Sequence, residues 1–382
     1  MFQFRTYLAG VDWKRVQLFC CPLAVVIAIR VVGAFWFYHF MITPSSGVRF
    51  AWLDVNRRLL PAGSNWLFLF NGGDSFQFSS IAMFGYAYGR YPFLPGYPIL
   101  IRFAGLFVGN YWFGAFLVTQ VFALGSIVMF QLLAEQYMQP SEALFATLLM
   151  ATFPYISVFT TLGYSEAMFL FTTIGAWYFY KKDRFLISAV LAGIASVTRI
   201  YGVAIALPIL IDIVKSGRYR KLFALLIPLA FICSWLLYCY LSSGDPLASW
   251  TEEHAVYAVG GAGGANFGLW QTVWAQLSGG PGTWGTGGLD PAVLVAFVLF
   301  AFLTVRIWEI DRLLWVYTAV VFGSLTFVVV SHITLLRYMA FIFPIWLTVK
   351  TRKPVVVVVC LAFFIPISLL LWLYAITVFF VA

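Results

Sequence analysis

The sequence predicts an all-α, polytopic membrane protein, and three observations predict it. Of 382 residues, 63% are hydrophobic and only 10% are charged, against roughly 25% charged in an ordinary soluble domain. Apolar runs of about 20 residues, the length that crosses about 30 Å of hydrocarbon, recur along nearly the whole chain. The 23 Lys and Arg residues fall in short clusters between those runs, as topology signals do. A water-soluble core of this length would not hide so much apolar surface, so the bilayer is the solvent. The net charge of +9 then belongs to membrane orientation. No basic stripe forms a groove, and nucleic acid is not an expected partner.

The elements follow in order. Residues 1–17 carry Arg5, Lys14 and Arg15, and the first apolar run after them is long enough to remain as an anchor rather than a cleaved signal. A span over 18–42, with Arg30 inside it, leads to a long polar and aromatic segment, 43–110. Spans over 111–134 and 143–161 flank a turn holding Glu135, Pro140 and Glu142. Next come 165–180, the basic turn Lys181-Lys182-Asp183-Arg184, then 185–198, 203–214 and a second basic turn over 215–221. The span 222–242 delivers a second long loop, 243–290, and four more spans follow over 291–305, 313–331, 333–349 and 355–380. That is about eleven spans at the usual crossing length.

Most basic residues fall on one side of this walk, which predicts a cytosolic N-terminus. Segments between 143 and 214 are shorter than a full crossing, so tilted, broken or protein-packed helices are expected there. Both long loops emerge on the far side and hold Asp54, Asp74, Asp245, Glu252, Glu253 and Asp290. A site facing away from the cytosol follows. No P-loop, zinc-protease, CxxC-pair or Ser-His-Asp pattern is present, and no internal repeat suggests a transporter built of inverted halves. The Gly-rich stretch 260–288 reads as a flexible far-side loop, with no preceding strand to make it a phosphate cradle. The five cysteines lack metal spacing and read as small buried hydrophobes.

The informative segment is 71–102. Asp74 follows Gly72 and Gly73, which allow a sharp turn, and precedes an amphipathic run whose Phe76, Ile81 and Phe84 suit the membrane interface. A carboxylate costs roughly 2.5 to 3.5 kcal/mol at the centre of a bilayer helix, so this one belongs at a wet boundary, where a lipid-linked substrate presents its head group. The alternative is that Asp74 simply caps the helix beginning at Ser75. Pro92, Pro95 and Pro98 predict an extended or kinked stretch able to wall a pocket. Asp245, Glu252, Glu253 and His254 read as a solvated loop helix without metal spacing, and no metal site is expected. Most of the 15 Trp residues suit an aromatic belt.

The stretch DSFQFSSIAMFGY followed by YPFLPGYPILIR resembles the first lumenal loop of the PIG-V family of GPI mannosyltransferases and their prokaryotic relatives. GYSEAMFLF over 163–171 resembles that family's YSE segment, SVTRIYG over 196–202 its SxTRxxG segment, GDPLASW over 244–250 its GDPLAF loop start, and RYMAFIFPIW over 337–346 its closing RYxxPxFP element. The chain departs from the pattern at Gly73, where Trp is usual, and at Gln77-Phe78, where His or Trp followed by Tyr is common.

The resemblance implies a GT-C type glycosyltransferase fold. It implies that a polyprenyl-phosphate sugar, most plausibly mannose, donates on the non-cytosolic face to a lipid or glycan acceptor, with inversion. Asp74 is then the general base. Departing phosphate needs cations rather than a proton, and the planar fork of arginine suits its oxygens. Arg337, Arg199 and His332 are the candidate donor-phosphate ligands, and Glu166, Gln77 and Tyr164 the candidates for acceptor contact or support. For Arg199 and Arg337 the other reading is snorkelling or pairing with Glu166; for His332 it is a structural role. No cofactor beyond the lipid-phosphate sugar is expected. The membrane is a prokaryotic cell membrane, or the endoplasmic reticulum in a eukaryote. A flippase of lipid-linked sugars or a non-enzymatic assembly subunit are the other functions compatible with the class.

Overall fold

The computed structural model describes residues 13–39, 65–253, 255, 291–326 and 332–377. Among them every regular element is helical. Residues 40–64, His254 and 256–290, which include parts of both predicted far-side loops and the Gly-rich stretch, lie outside the described residues.

Among the described residues four helices are long and apolar enough to cross a bilayer: Arg15–Phe37, Tyr111–Ala134, Tyr219–Ser243 and Pro354–Ile376. The first belongs to α1 (Trp13–Phe37). The segment read as the first loop holds two helices, α2 (Ser75–Phe84) and α3 (Gly96–Val108). Asn110 then starts α4 (Tyr111–Ala134) by accepting from the backbone N–H of Trp112 and Phe113 at 2.9 and 3.1 Å. Half of the apolar window of α4 is buried, against 17% for Tyr219–Ser243 and Pro354–Ile376. The first is therefore a central helix and the other two present most of their surface to lipid.

The span expected over 143–161 is two helices, α5 (Pro140–Thr152) and α6 (Pro154–Phe159). Phe153 precedes a proline, which drives it out of the helical region to φ −55° and ψ 130°. After a turn over 160–165 comes α7 (Glu166–Lys181), which packs between α4 and α8 (Phe185–Thr198). At about 1.5 Å per residue α7 is short for a crossing, and it is wrapped in protein, as the shortness of this region predicts. A 3₁₀ turn over Ile200–Ile205 and α9 (Ala206–Lys215) stand where one span over 203–214 is expected.

The lipid-facing α10 (Leu222–Ser243) carries the short α11 (Ala248–Glu252) at its far end. Further on, α12 (Pro291–Ile310) and α13 (Arg312–Leu325) form a hairpin, with Asp311 capping α13 through Leu313 and Leu314. The span expected over 333–349 is not one helix. It is α14 (His332–Ala340) followed by a 3₁₀ turn, Phe343–Thr348, around Pro344. Phe341, Ile342, Phe343, Ile345 and Leu347 are all buried there, because irregular backbone at membrane depth survives only where protein satisfies its polar groups. The chain ends its described course in α15 (Pro354–Thr377).

Three further expectations are corrected. Phe76, Ile81 and Phe84 do not lie together at an interface: Ile81 is buried, Phe76 packs edge-on to Trp112 at 4.6 Å, and only Phe84 is exposed. The cysteines are not uniformly buried, since Cys20, Cys21 and Cys233 are exposed and Cys239 alone is fully enclosed. Glu252 is not solvated either, as its contacts below show.

One glycine decides how the chain turns after α8. A Cβ on Gly202 would stand 2.2 Å from the carbonyl oxygen of Ala195, so only glycine lets the 3₁₀ turn fold back on the end of α8. Gly202→Ala forces backbone apart, which typically costs about 1 to 3 kcal/mol. We expect a lowered thermal midpoint in detergent, read by near-UV circular dichroism, whereas Gly323→Ala, where a Cβ meets open space, leaves it unchanged.

Candidate active site

Three of the four charged side chains of the site stand at breaks between helices, and the fourth, Arg337, lies in the last turn of α14. Gly73, at φ +54°, turns the chain into Asp74. Asp74 occupies the N-cap position of α2, yet its side chain makes no capping bond. The capping alternative therefore fails, and the carboxylate is turned elsewhere: its Oδ2 accepts from Nη1 of Arg337 at 3.1 Å. The backbone N–H of Asp74 donates to the Tyr164 hydroxyl at 3.0 Å, fixing the turn against the 160–165 break.

Glu166 begins α7 and is 1% exposed. Its Oε1 accepts from Nε of Arg337 and forms ion pairs with Nη2 of Arg337 and with Nη1 of Arg199, the latter at 2.6 Å. Arg199 reaches this position because it is extended, with φ −148° and ψ 141°, between α8 and the turn made by Gly202. Its Nη1 also lies 3.4 Å from the Ser165 hydroxyl. The result is a chain of alternating charge, Asp74, Arg337, Glu166, Arg199. Removing two cations and two anions from water is tolerable only in such a paired, hydrogen-bonded arrangement.

Aromatic rings complete the enclosure. The Arg337 guanidinium lies 4.4 Å from the ring centre of Phe159 and 4.5 Å from that of Tyr164. The Tyr338 ring stacks with Arg199 at 4.5 Å and stands 5.7 Å from Arg337, so it faces both cations. Behind Glu166 lies a cavity of about 10 Å³ bordered by Arg199, Tyr201 and Tyr338. That is room for about one water, next to an Oε2 that takes no hydrogen bond from the described residues.

Exposure divides the four charges into roles. Arg337 and Glu166 are closed off, Arg199 is 14% exposed and Asp74 38%. The Oδ1 of Asp74 takes no hydrogen bond from the described residues. The cluster thus presents one accessible carboxylate oxygen and one partly accessible guanidinium, with the fork of Arg337 taken up by two carboxylates. Chemically this suits proton removal beside an anion.

Asp74, Glu166, Arg199, Arg337 and Tyr164, which are far apart in the sequence, thus meet at one place. Gln77 does not join them: it lies one turn along α2, half-buried, and makes no hydrogen bond to the cluster among the described residues. His332 begins α14, but its side chain lies outside the described residues. Among the described residues no three of His, Cys, Asp and Glu stand together as a metal site.

Sequence reasoning missed two supporting residues. Glu252, 7% exposed, accepts from the backbone N–H of Gly89 at 2.8 Å and of Tyr91 at 3.2 Å, tying α11 to the turn that precedes the Pro-rich stretch. That stretch packs on the end of α8, where Gly96 leaves no room for a Cβ beside Val197 and Thr198. Asp245 caps the same region through Leu247 N–H and Thr251. The other missed residue is Tyr338, whose position after Arg337 was visible but whose second cation, Arg199, was not.

The fold and this centre define an all-α, polytopic membrane protein with a partly buried cluster of two carboxylates and two arginines. No family model matches the chain, and no curated protein matches it. Among solved structures it is similar to ArnT from Cupriavidus metallidurans in the apo state, with 10% identity and a TM-score of 0.49 over 78% of this chain and 59% of that one. The same protein bound to undecaprenyl phosphate gives 13% identity and 0.48 over 79% and 60%. The Archaeoglobus fulgidus oligosaccharyltransferase in complex with Zn and sulfate gives 14% and 0.42 over 92% and 52%. The chain therefore spans at most 60% of the length of these structures.

Removing one member of a buried charge network typically costs about 3 to 5 kcal/mol, because the partners stay buried and unpaired. Glu166→Gln leaves Arg199 and Arg337 facing each other, and we expect it to lower the unfolding midpoint sharply. Glu142→Gln, which loses the partly exposed pair with Arg352, changes it little in the same thermal melt.

Proposed function

We propose that the chain is a membrane glycosyltransferase of the GT-C type, moving a hexose, most plausibly mannose, from a polyprenyl-phosphate carrier to a lipid or glycan hydroxyl on the non-cytosolic face. The observation that carries the proposal is the half-exposed Asp74 carboxylate held by a buried arginine, with Arg199 joined to the same charge cluster through Glu166. The resemblance of the surrounding stretches to the PIG-V family supplies the choice of sugar and of donor.

The acceptor oxygen attacks the anomeric carbon as the carbon–oxygen bond to phosphate breaks, which inverts the centre. A hydroxyl loses its proton only as it attacks, so Asp74 Oδ1, which takes no hydrogen bond from the described residues, takes that proton. The leaving polyprenyl phosphate carries away the bonding electrons and needs positive charge. Arg199, the more accessible arginine, meets that phosphate. Arg337 divides its fork between Asp74 and Glu166, so its first task is to orient the base, and Glu166 holds both arginines. No metal is required for this sequence of steps.

General-base assistance is typically worth about 100- to 10,000-fold. Purified full-length protein is supplied with labelled polyprenyl-phosphate mannose and a panel of acceptors, with undecaprenyl phosphate as the first carrier. Asp74→Asn is expected to lower kcat by that factor while the unfolding midpoint holds. Equal transfer by wild type and variant removes Asp74 as the base. Movement of lipid between leaflets with no sugar transferred from any carrier replaces the transferase with a flippase.

A further inference from the structure

Arg30 is an arginine in the middle of an apolar helix, and the function above does not use it. It is buried at 6% exposure on α1 and has no carboxylate partner among the described residues. Its guanidinium is nonetheless spent on a definite target. Nη2 donates to the Thr160 hydroxyl at 2.9 Å and Nη1 donates to the Gln120 side-chain carbonyl. Gln120 in turn donates from Nε2 to the backbone carbonyl of Thr161 at 3.1 Å.

Thr160, and Thr161 reached through Gln120 of α4, lie in the break between α6 and α7. That segment, 160–165, is the non-helical backbone from which Tyr164 meets Asp74 and after which Glu166 meets both arginines. It is also tied to the Asp74 segment, where the Gly163 N–H donates to the carbonyl of Phe70 at 2.7 Å, next to the turn carrying Asp74. A Cβ on Gly163 would stand 2.8 Å from Asn71 Oδ1, so the two segments touch directly. Non-helical backbone inside a membrane protein needs such partners for its polar groups. A charged side chain kept in an apolar helix is held there by a function more often than by stability.

We propose that Arg30 is a positioning residue for the charged cluster: with Gln120 it sets the 160–165 break, and through it the placement of Tyr164 and Glu166. It touches neither base nor phosphate. The activity arm of its test rests on the transferase reading above, and the exchange arm does not.

The test compares wild type with Arg30→Met, Arg30→Lys, Thr160→Val and the double variant Arg30→Met/Thr160→Val, all as the full chain in detergent. Transfer is measured as kcat and donor KM, and backbone hydrogen exchange is followed by mass spectrometry. Arg30→Met is expected to lower kcat at least 10-fold with donor KM within 2-fold, and to speed exchange over 160–166 while α4 stays protected. Lysine keeps the charge but has no planar fork to span two acceptors, so Arg30→Lys recovers only part of kcat. Thr160→Val removes a single acceptor and leaves the charge, and its effect is not additive with Arg30→Met. If Arg30→Met does not fold, Thr160→Val decides: unchanged kcat and unchanged exchange over 160–166 overturn the proposal. A lowered midpoint with kcat intact, or loss of protection spread over the whole chain, overturns it too. A wild type that transfers no sugar sinks the transferase reading alone, and the exchange pattern still decides the role of Arg30.

Discussion

The arrangement depends on one carboxylate oxygen. Oε1 of Glu166 receives both Arg199 and Arg337, and without it two guanidinium groups would face each other in a site nearly closed to water. Like charges at such range, in a medium of low effective dielectric, repel far more strongly than at a surface. The second carboxylate, Asp74, completes the balance from the open side. The cluster is neutral overall and graded in exposure: Arg337 and Glu166 are closed off in its middle, and Asp74 and Arg199 keep accessible faces at its two ends.

The helices around it are broken because the cluster needs them broken. A continuous helix has no free backbone polar groups and projects side chains at fixed angles. Asp74 follows a glycine turn, Glu166 follows the 160–165 break, Arg199 stands in extended backbone, and Arg337 lies on a helix that stops three residues later. Each break exposes donors and acceptors that would be intolerable against lipid. The long apolar helices, α1, α10 and α15 among them, carry the membrane contact and leave the short ones free to be irregular. Gln120, held by Arg30, and Glu252 each bring a side chain from a distant element to backbone groups outside the helices.

Physical limits explain what was legible. Hydropathy is a local matter, so the apolar-run argument located most helices, and the polar character of the 71–102 stretch singled out Asp74, which the structure joins to Arg337. The 143–161 break was announced by Pro154 and the 333–349 break by Pro344, yet hydropathy averages over both. The helix-capping alternative for Asp74 was sound locally and failed because a stronger partner, Arg337, came from 263 positions away. Likewise Ile81 belongs to an apolar pattern that sequence assigns equally well to lipid or to protein. Its burial depends on which neighbours arrive.

By itself, then, the sequence determined the class of the protein, the approximate placement of its apolar helices and which charged residues stand at the ends of apolar runs. These follow from transfer energies, which depend on each residue and its near neighbours. Only the tertiary structure decided that Glu166 is shared by two arginines, that Arg337 orients Asp74, that Arg199 keeps an accessible face and that Gln77 stays outside the cluster. Those facts are pairings between segments, set by how the helices pack, and no local energy specifies them.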